Sequence, residues 1–212
     1  MDKLKEKLNN PFDGLNPDNE ESFQEECKKI ATNLFNSYYI KCGEEQYFFA
    51  EIEFYYYQKG KWEKDWNRVT YPRDGYSASN LFYHLSGVDI CFDSSFEKRK
   101  FGGILIRSIV NSKNNVTAGP WNCMLLLLNS CKGSSMPSIE KLKESRNITP
   151  KAIHRALGEK DMVNFENNNH LKLCFYDDTI DNWKTKRVKY TKNQKGVDDT
   201  IKEDYTKYNR FK

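Results

Sequence analysis

YFFAEIEFYYY, at residues 47–57, is the stretch that decides the fold. In an extended strand, successive side chains point to opposite faces. The even-numbered row is almost entirely apolar and consists of Phe48, Ala50, Ile52, Phe54 and Tyr56. The odd-numbered row places Glu51 and Glu53 among aromatic rings. The pattern therefore predicts a long strand whose even-numbered face packs against a core.

The two carboxylates of this strand have two interpretations. Glutamates are seldom buried without partners, so Glu51 and Glu53 could belong to the solvated face of a half-buried strand. They could equally form the floor of a polar site. Both interpretations stay open at this point.

Length and composition favour one domain that can bury a sizeable core. The chain has 212 residues, and 14% of them are aromatic, which is too many for a largely disordered chain. We predict a flexible lead at residues 1–20 and a single domain at residues 21–212. The net charge of +4 is too small to indicate a protein that binds nucleic acid by charge alone.

The sequence predicts a cytoplasmic protein with no membrane partner. Its first ten residues, MDKLKEKLNN, lack the apolar segment of a signal peptide, and the apolar run at residues 124–128 is too short to cross a bilayer. The six cysteines contain no C-x-x-C pair, so we expect reduced thiols that pack as small hydrophobic side chains.

Helical periodicity predicts one amphipathic helix that begins at a capping box formed by Ser22 and Glu25. Its apolar positions are Phe23, Cys27, Ile30, Ala31 and Leu34. Three further helices are expected. Gly119-Pro120 opens a buried helix at residues 121–129, and a short helix ends at residues 142–146. An N-cap followed by proline, Thr149-Pro150, begins the third, which extends to Leu157.

Strands are expected at residues 38–41, 80–93, 101–110 and 171–176. In the strand at residues 80–93, we expect Tyr83 and Asp89 to share a face, and Gly87 to permit a bulge or a close approach. Arg107 stands alone in the apolar run at residues 101–110, so it requires an anionic partner. That partner is either a carboxylate of the protein, from Glu51, Glu53 or Asp89, or an anionic group of a ligand.

The sequence lacks the motifs of the common cofactor and metal sites, and we predict no cofactor. It has no P-loop, no G-x-G-x-x-G, no G-x-S-x-G and no His or Cys spacing suited to a metal. The candidate site residues are carboxylates, aromatic rings and one arginine: Glu51, Glu53, Tyr55, Tyr83, Asp89, Asp93 and Arg107. Such a set can activate a water molecule and stack on a flat substrate.

Short motifs in sequence order resemble the alkyladenine (3-methyladenine) DNA glycosylases. They are AEIEFY at residues 50–55, LFYHLSG at 81–87, GILIRSI at 103–109 and Gly-Pro at 119–120. The family has E-x-E-A-Y, Y-x-Y-x-x-Y-G, V-L-L-R-A and G-P at these places. The resemblance implies a mixed α/β (α+β) domain with a curved antiparallel sheet and flanking helices.

The resemblance also implies an activity and the residues that perform it. The family hydrolyses an N-glycosidic bond after the nucleotide is flipped out of the duplex. Glu53 matches the carboxylate that activates water, and Arg107 the arginine beside that water. Tyr55 and Tyr83 match pocket tyrosines, and Asp93 falls where the family has an asparagine. The implied partners are a nucleobase, a nucleotide or DNA.

Several positions depart from the family pattern. The tyrosine that wedges into the duplex is replaced by Ser86, and the loop at residues 60–71 lacks the pocket histidine. Phe54 replaces a small residue, and residues 188–190 replace a glycine-rich segment. These changes affect the parts that bend DNA. An alternative function is therefore a non-catalytic pocket that binds or sequesters a nucleotide-derived ligand.

Overall fold

The computed structural model describes residues 3–16, 19–61, 70, 73, 75–131, 136–154, 173–180, 192–193 and 196–197. The predictions for residues 155–157, 171–172, 186–190 and most of the loop at 60–71 lie outside this part of the chain. The helices are α1 (Lys3–Leu8), α2 (Glu20–Ser37) and α3 (Pro120–Ser130). The strands are β1 (Tyr38–Cys42), β2 (Glu45–Gln58), β3 (Leu81–His84), β4 (Gly87–Cys91), β5 (Lys100–Asn111), β6 (Val116–Ala118), β7 (Ser138–Lys141), β8 (Lys151–His154), β9 (Leu173–Tyr176), β10 (Lys192–Asn193) and β11 (Gly196–Val197).

Nine of these strands form one curled antiparallel sheet, which confirms the predicted mixture of helices with an antiparallel sheet in one domain. The main path runs β3-β4-β5-β2-β1-β7. The other three strands join it because β6 pairs with β5, β9 with β2, and β8 with β9. Strands β10 and β11 pair only with each other.

The predicted long strand is confirmed as β2, which lies at the centre of the sheet. It pairs with β5 along most of its length. On its other edge it pairs first with β1 and then, from Glu51 to Phe54, with β9. At Tyr47 and at residues 51–54, β2 therefore has paired neighbours on both edges and is an interior strand of the sheet.

The prediction that the even-numbered face of β2 packs against the core is correct for only half of the strand. Tyr47 and Phe49 are the core residues at its beginning, and Ile52, Phe54 and Tyr56 take over further along. The change of face occurs at an irregularity in the pairing with β5, where the register skips Ala50 on β2 and Arg107 on β5. An extra residue in each strand reverses the alternation of both. Phe48 consequently lies on the side of the sheet opposite the core.

Within the predicted lead at residues 1–20, the segment at residues 3–12 packs against the domain. Helix α1 buries Leu4 and Leu8, and Phe12 in the following turn is also buried. The ring of Phe12 lies 4.5 Å from that of Phe23, 4.6 Å from that of Tyr56 and 5.5 Å from that of Phe92. The sequence did not predict this packing, because Leu4, Leu8 and Phe12 are widely spaced among polar residues.

Helix α2 has the predicted amphipathic character. Its expected apolar residues Phe23, Cys27, Ile30, Ala31 and Leu34 are all buried. The predicted start is wrong by a few residues, because the N-cap is Asn19, whose side chain accepts a hydrogen bond of 3.1 Å from the backbone N–H of Ser22. Asparagine is as good an N-cap as serine, so composition alone does not choose between them.

Three further element predictions are corrected. Residues 80–93 form the hairpin β3–β4 rather than one strand, with Leu85 and Ser86 in the turn. The residues after Pro150 form strand β8, which pairs with β9, rather than a helix. Residues 142–146 are not helical. The strands expected at 38–41 and 101–110 are confirmed as β1 and β5, and the described part of 171–176 as β9.

Helix α3 is confirmed, although only one of its sides is buried. Cys123, Met124 and Leu127 face the core. Trp121, Leu125 and Leu128 are exposed by 48, 39 and 40%, so the prediction of a buried helix is wrong for this side. Gly87 does permit a close approach, because a Cβ atom there would lie 2.8 Å from Cβ of Pro120.

The prediction of reduced cysteines is wrong for Cys42 and Cys131, which form a disulfide between the end of β1 and the end of α3. Cys27, Cys91, Cys123 and Cys174 are buried thiols that pack as predicted. Helices long and apolar enough to cross a membrane are absent from the described residues.

We expect the four buried thiols to be unreactive in the folded protein. Burial raises the pKa of Cys91 and of Cys123 to about 12, so almost no thiolate is present near pH 8. Iodoacetamide should add nothing to the native protein. After unfolding without a reductant it should add to four cysteines, and with a reductant to all six, as counted by intact mass. Six additions without a reductant would disprove the disulfide.

Replacing Phe12 with alanine should lower the free energy of unfolding by about 3–5 kcal/mol, because it removes a fully buried ring packed against three others. Phe96→Ala is the matched control, since that ring is 63% exposed and should matter by less than about 1 kcal/mol. Urea denaturation of both variants measures the difference. Equal losses would show that the N-terminal segment does not pack against the domain in solution.

Candidate functional site

The candidate site lies on the side of the sheet opposite the core, which we call the outer face. It is defined by Glu51, Glu53, Tyr55, Asp89 and Arg107. The core side is fixed by Ile52, Ile90, Ile104 and Ile106, which all belong to one apolar cluster. Residues paired across antiparallel strands share a face. Glu53 pairs with Leu105, and Leu105 pairs with Asp89, so these three form a row across β2, β5 and β4.

Glu53 is held by two neighbours and is completely buried. The hydroxyl of Tyr55 donates a hydrogen bond of 2.6 Å to its Oε1. Nη1 of Arg107 donates one of 2.5 Å to its Oε2. Both contacts are charge-assisted, which makes them stronger than hydrogen bonds between neutral groups. The carboxylate is therefore fixed in position and in orientation.

Arg107 links Glu53 to the second carboxylate of the strand. Its Nε lies 3.6 Å from Oε2 of Glu51, and both side chains are only about one-eighth exposed. Burial disfavours the charged guanidinium, but Glu53 and then Glu51 outweigh it and raise the pKa of Arg107 well above its ordinary value. The ion-pair partner that Arg107 required is confirmed as Glu53 together with Glu51.

Arg107 lies at the irregular pairing of β2 and β5. Bulges re-aim side chains and are common beside functional sites. Arg107 is the residue that the register skips on β5, and its carbonyl accepts a hydrogen bond of 2.8 Å from the backbone N–H of Gly119, at the start of α3. This contact anchors the backbone at the bulge, while the side chain points to the carboxylates of β2.

A second buried charged cluster lies on the same face, with Leu105 between the two. Arg73 donates a short hydrogen bond to Oδ2 of Asp89, and Nε2 of His84 lies 3.2 Å from Oδ1 of Asp89. Gly103 makes room for the arginine, because a Cβ atom there would lie 3.2 Å from Nε and Nη2 of Arg73. Arg73 was missed in the sequence because it lies in an irregular segment without periodicity.

Two of the predicted site residues lie elsewhere. Tyr83 packs against the core, so it does not share a face with Asp89 as expected. The reason is the two-residue turn of the hairpin, which pairs Asp89 with Phe82 and so reverses the odd and even positions. Burial raises the pKa of Tyr83 to about 12. Asp93 lies 3.2 Å from Nζ of Lys100, in a partly exposed ion pair.

No group of three or more His, Cys, Asp or Glu residues that could hold a metal ion is found in the described segments. The outer face contributes charged side chains of its own. It offers a fixed carboxylate, a second carboxylate and a guanidinium that stays charged at every physiological pH.

Comparisons with protein-family models, curated proteins and solved structures found no match to this chain. The likeness to alkyladenine DNA glycosylases therefore stays a prediction based on short motifs. The structure brings four of the predicted site residues together, namely Glu51, Glu53, Tyr55 and Arg107, and it places Asp89 on the same face.

Tyr55→Phe should lower the free energy of unfolding by about 1.5–3 kcal/mol, because it removes a hydrogen bond to a buried carboxylate. Tyr83→Phe is the matched control. Among the described residues, the Tyr83 hydroxyl has no hydrogen-bond partner, so its removal should leave stability unchanged or raise it. Chemical denaturation compares the two variants. Equal effects would contradict the arrangement around Glu53.

Proposed function

We propose that this protein hydrolyses the N-glycosidic bond between a nucleobase and its sugar, with Glu53 as the general base. The observation that carries the proposal is the buried carboxylate fixed between Tyr55 and Arg107 on the outer face of the sheet. The order of the short motifs supports it, because Glu53, Tyr55 and Arg107 match the glycosylase positions. The same order supports a divergent form of the alkyladenine glycosylase fold.

The proposed reaction needs only water and the side chains of the site. Glu53 takes a proton from a water molecule, whose oxygen bonds to C1′ of the sugar. The bond between C1′ and the nucleobase nitrogen breaks, and the base leaves with the bonding pair and is protonated by solvent. The sugar passes through a cation-like transition state, which the negative charge of Glu53 stabilises. Arg107 positions Glu53 through its hydrogen bond to Oε2.

A second candidate function is binding without catalysis. Glu53 is 0% exposed, and both of its oxygens already have partners. A water molecule can reach it only if a neighbouring side chain moves. A pocket that holds a nucleobase or nucleotide without hydrolysing it does not require water to reach Glu53. Ser86 at the hairpin turn, in place of a wedge side chain, favours the same alternative.

A cytoplasmic location is part of the proposal. The four buried thiols support it, since reduced cysteines are typical of that compartment. The disulfide between Cys42 and Cys131 is the observation that speaks against it.

The test is to incubate the protein with duplex and single-stranded DNA that carries alkylated or deaminated bases, and with nucleosides. Mass spectrometry then looks for a released base. We expect release by the wild type and a loss of at least 100-fold in Glu53→Gln, because general-base catalysis contributes about 10²–10⁴-fold. Binding of the same substrate should persist in this variant.

Glu51→Gln is the matched control, since it removes the other carboxylate that faces Arg107 and leaves Glu53 in place. It should retain far more activity than Glu53→Gln. Equal activity of the two variants would disprove the role of Glu53 as base. Saturable binding with no base released by the wild type would establish the binding function instead.

A further inference from the structure

A cleft with a volume of about 430 Å³ opens on the outer face, beside the beginning of β2 and the end of β5. Its lining includes Phe48, Val110, Asn111, Asn114, Arg146 and Thr179. This volume lies in the range that small-molecule sites occupy. Along β2, Phe48 is five residues from Glu53, which is about 15 Å, so the cleft is separate from the proposed catalytic site.

The floor of the cleft is apolar and rigid. Phe48 and Val110 are direct register partners in the central pair of strands. Val110 is almost completely buried, and Ile180 contributes a further apolar surface. A flat hydrocarbon surface would therefore find a matching floor here.

Arg146 forms one wall and is held in a fixed position. Its Nη2 donates a hydrogen bond of 3.0 Å to Oδ2 of Asp177, and its Nη1 donates one of 3.4 Å to the carbonyl of Phe35. The guanidinium carbon lies 4.9 Å from the centre of the Phe48 ring. These contacts use two of the five N–H groups of the guanidinium. The arginine is thus pre-organised and keeps donors for a ligand.

The polar groups of the cleft are donors or hydroxyls rather than carboxylates. Asp177 is fully buried, and its Oδ1 accepts from the N–H and the hydroxyl of Thr179, at 3.0 and 2.6 Å. Oδ1 of Asn111 accepts from the backbone N–H groups of Lys113 and Asn115, which leaves its NH₂ group as a donor. The described lining contains Arg146 and no acidic residue, and Lys113 is exposed beside it.

We propose that this cleft binds a small organic anion, in which a flat apolar ring carries a carboxylate or a phosphate. The ring lies against Phe48 and Val110. The anionic oxygens accept hydrogen bonds from Arg146 and from the side-chain NH₂ groups of Asn111 and Asn114. The proposal is independent of N-glycoside hydrolysis, because it uses none of the residues around Glu53.

The test is calorimetric titration of the full chain with benzoate, phenyl phosphate and the neutral benzamide. We expect one of the two anions to bind with a dissociation constant of about 1 mM or tighter, and benzamide to bind at least tenfold more weakly. The two anions distinguish a carboxylate site from a phosphate site. Benzamide that binds as tightly as the anions would overturn the proposal. So would the absence of binding by both anions at a concentration of about 10 mM, which is tenfold above the expected dissociation constant.

Two variants localise the binding to the cleft. Ser112→Trp fills the cleft from an exposed turn and should abolish binding. Asn114→Gly removes one amide donor and should weaken binding at least threefold. Asn114 has a φ of +61°, which glycine adopts readily, so this variant should fold normally.

Ser79→Gly is the matched control, because Ser79 also has a positive φ, of 69°, and does not line the cleft. It should bind as the wild type does. Anion binding that is unchanged in Ser112→Trp would place the site elsewhere and would overturn the proposal. Neither result depends on base release, so a failure here is distinct from a failure of the proposed hydrolysis.

Discussion

An irregularity in the central pair of strands decides which face of the sheet each residue at the beginning of β2 and the end of β5 occupies, and the layout of the outer face depends on it. Had β2 and β5 paired regularly, the alternation of faces would have run unchanged from Tyr47 to Tyr57. Phe48 would then lie in the core, and Tyr47 and Phe49 would lie on the outer face with the glutamates. At the skipped residues Ala50 and Arg107, the alternation of faces reverses in both strands. In β2, odd-numbered residues face the core before Ala50, and even-numbered residues face it from Ile52 onward.

The same irregularity separates two regions of the outer face. On one side of it lie the carboxylates, with Arg107 and Tyr55 around Glu53. On the other side lies the cleft over Phe48 and Val110. Phe48 belongs to the outer face only because the alternation changes after it. The position of the apolar cleft on the same face as the charged site thus follows from one local feature of the backbone.

Patterns that involve one segment at a time could be predicted from the sequence. The aromatic run predicted a long strand, the apolar spacing predicted the amphipathic helix α2, and the lone arginine of β5 predicted an ion pair. All three are confirmed. Features that depend on how segments meet could not be predicted. The alternation in residues 80–93 predicted that Tyr83 and Asp89 share a face. The turn at Leu85 and Ser86 instead pairs Asp89 with Phe82, which places Tyr83 on the opposite face. The residues after Pro150 became a strand because β9 offers an edge, which overrides the local preference of an N-cap and proline for helix.

The buried charged groups contribute little net stability, so we interpret their role as holding polar side chains in fixed orientations. Glu53, Arg73, Asp89 and Asp177 are all nearly inaccessible to water. Moving such groups out of water is costly, and their mutual attraction often does no more than offset that cost. Apolar side chains of similar volume would hold the sheet at least as well. What apolar residues cannot do is hold a carboxylate and a guanidinium in fixed orientations beside a sheet face, which is the property that binding or acid–base chemistry requires. The buried charges around Glu53 and Asp89 are therefore an observation in support of the proposed function.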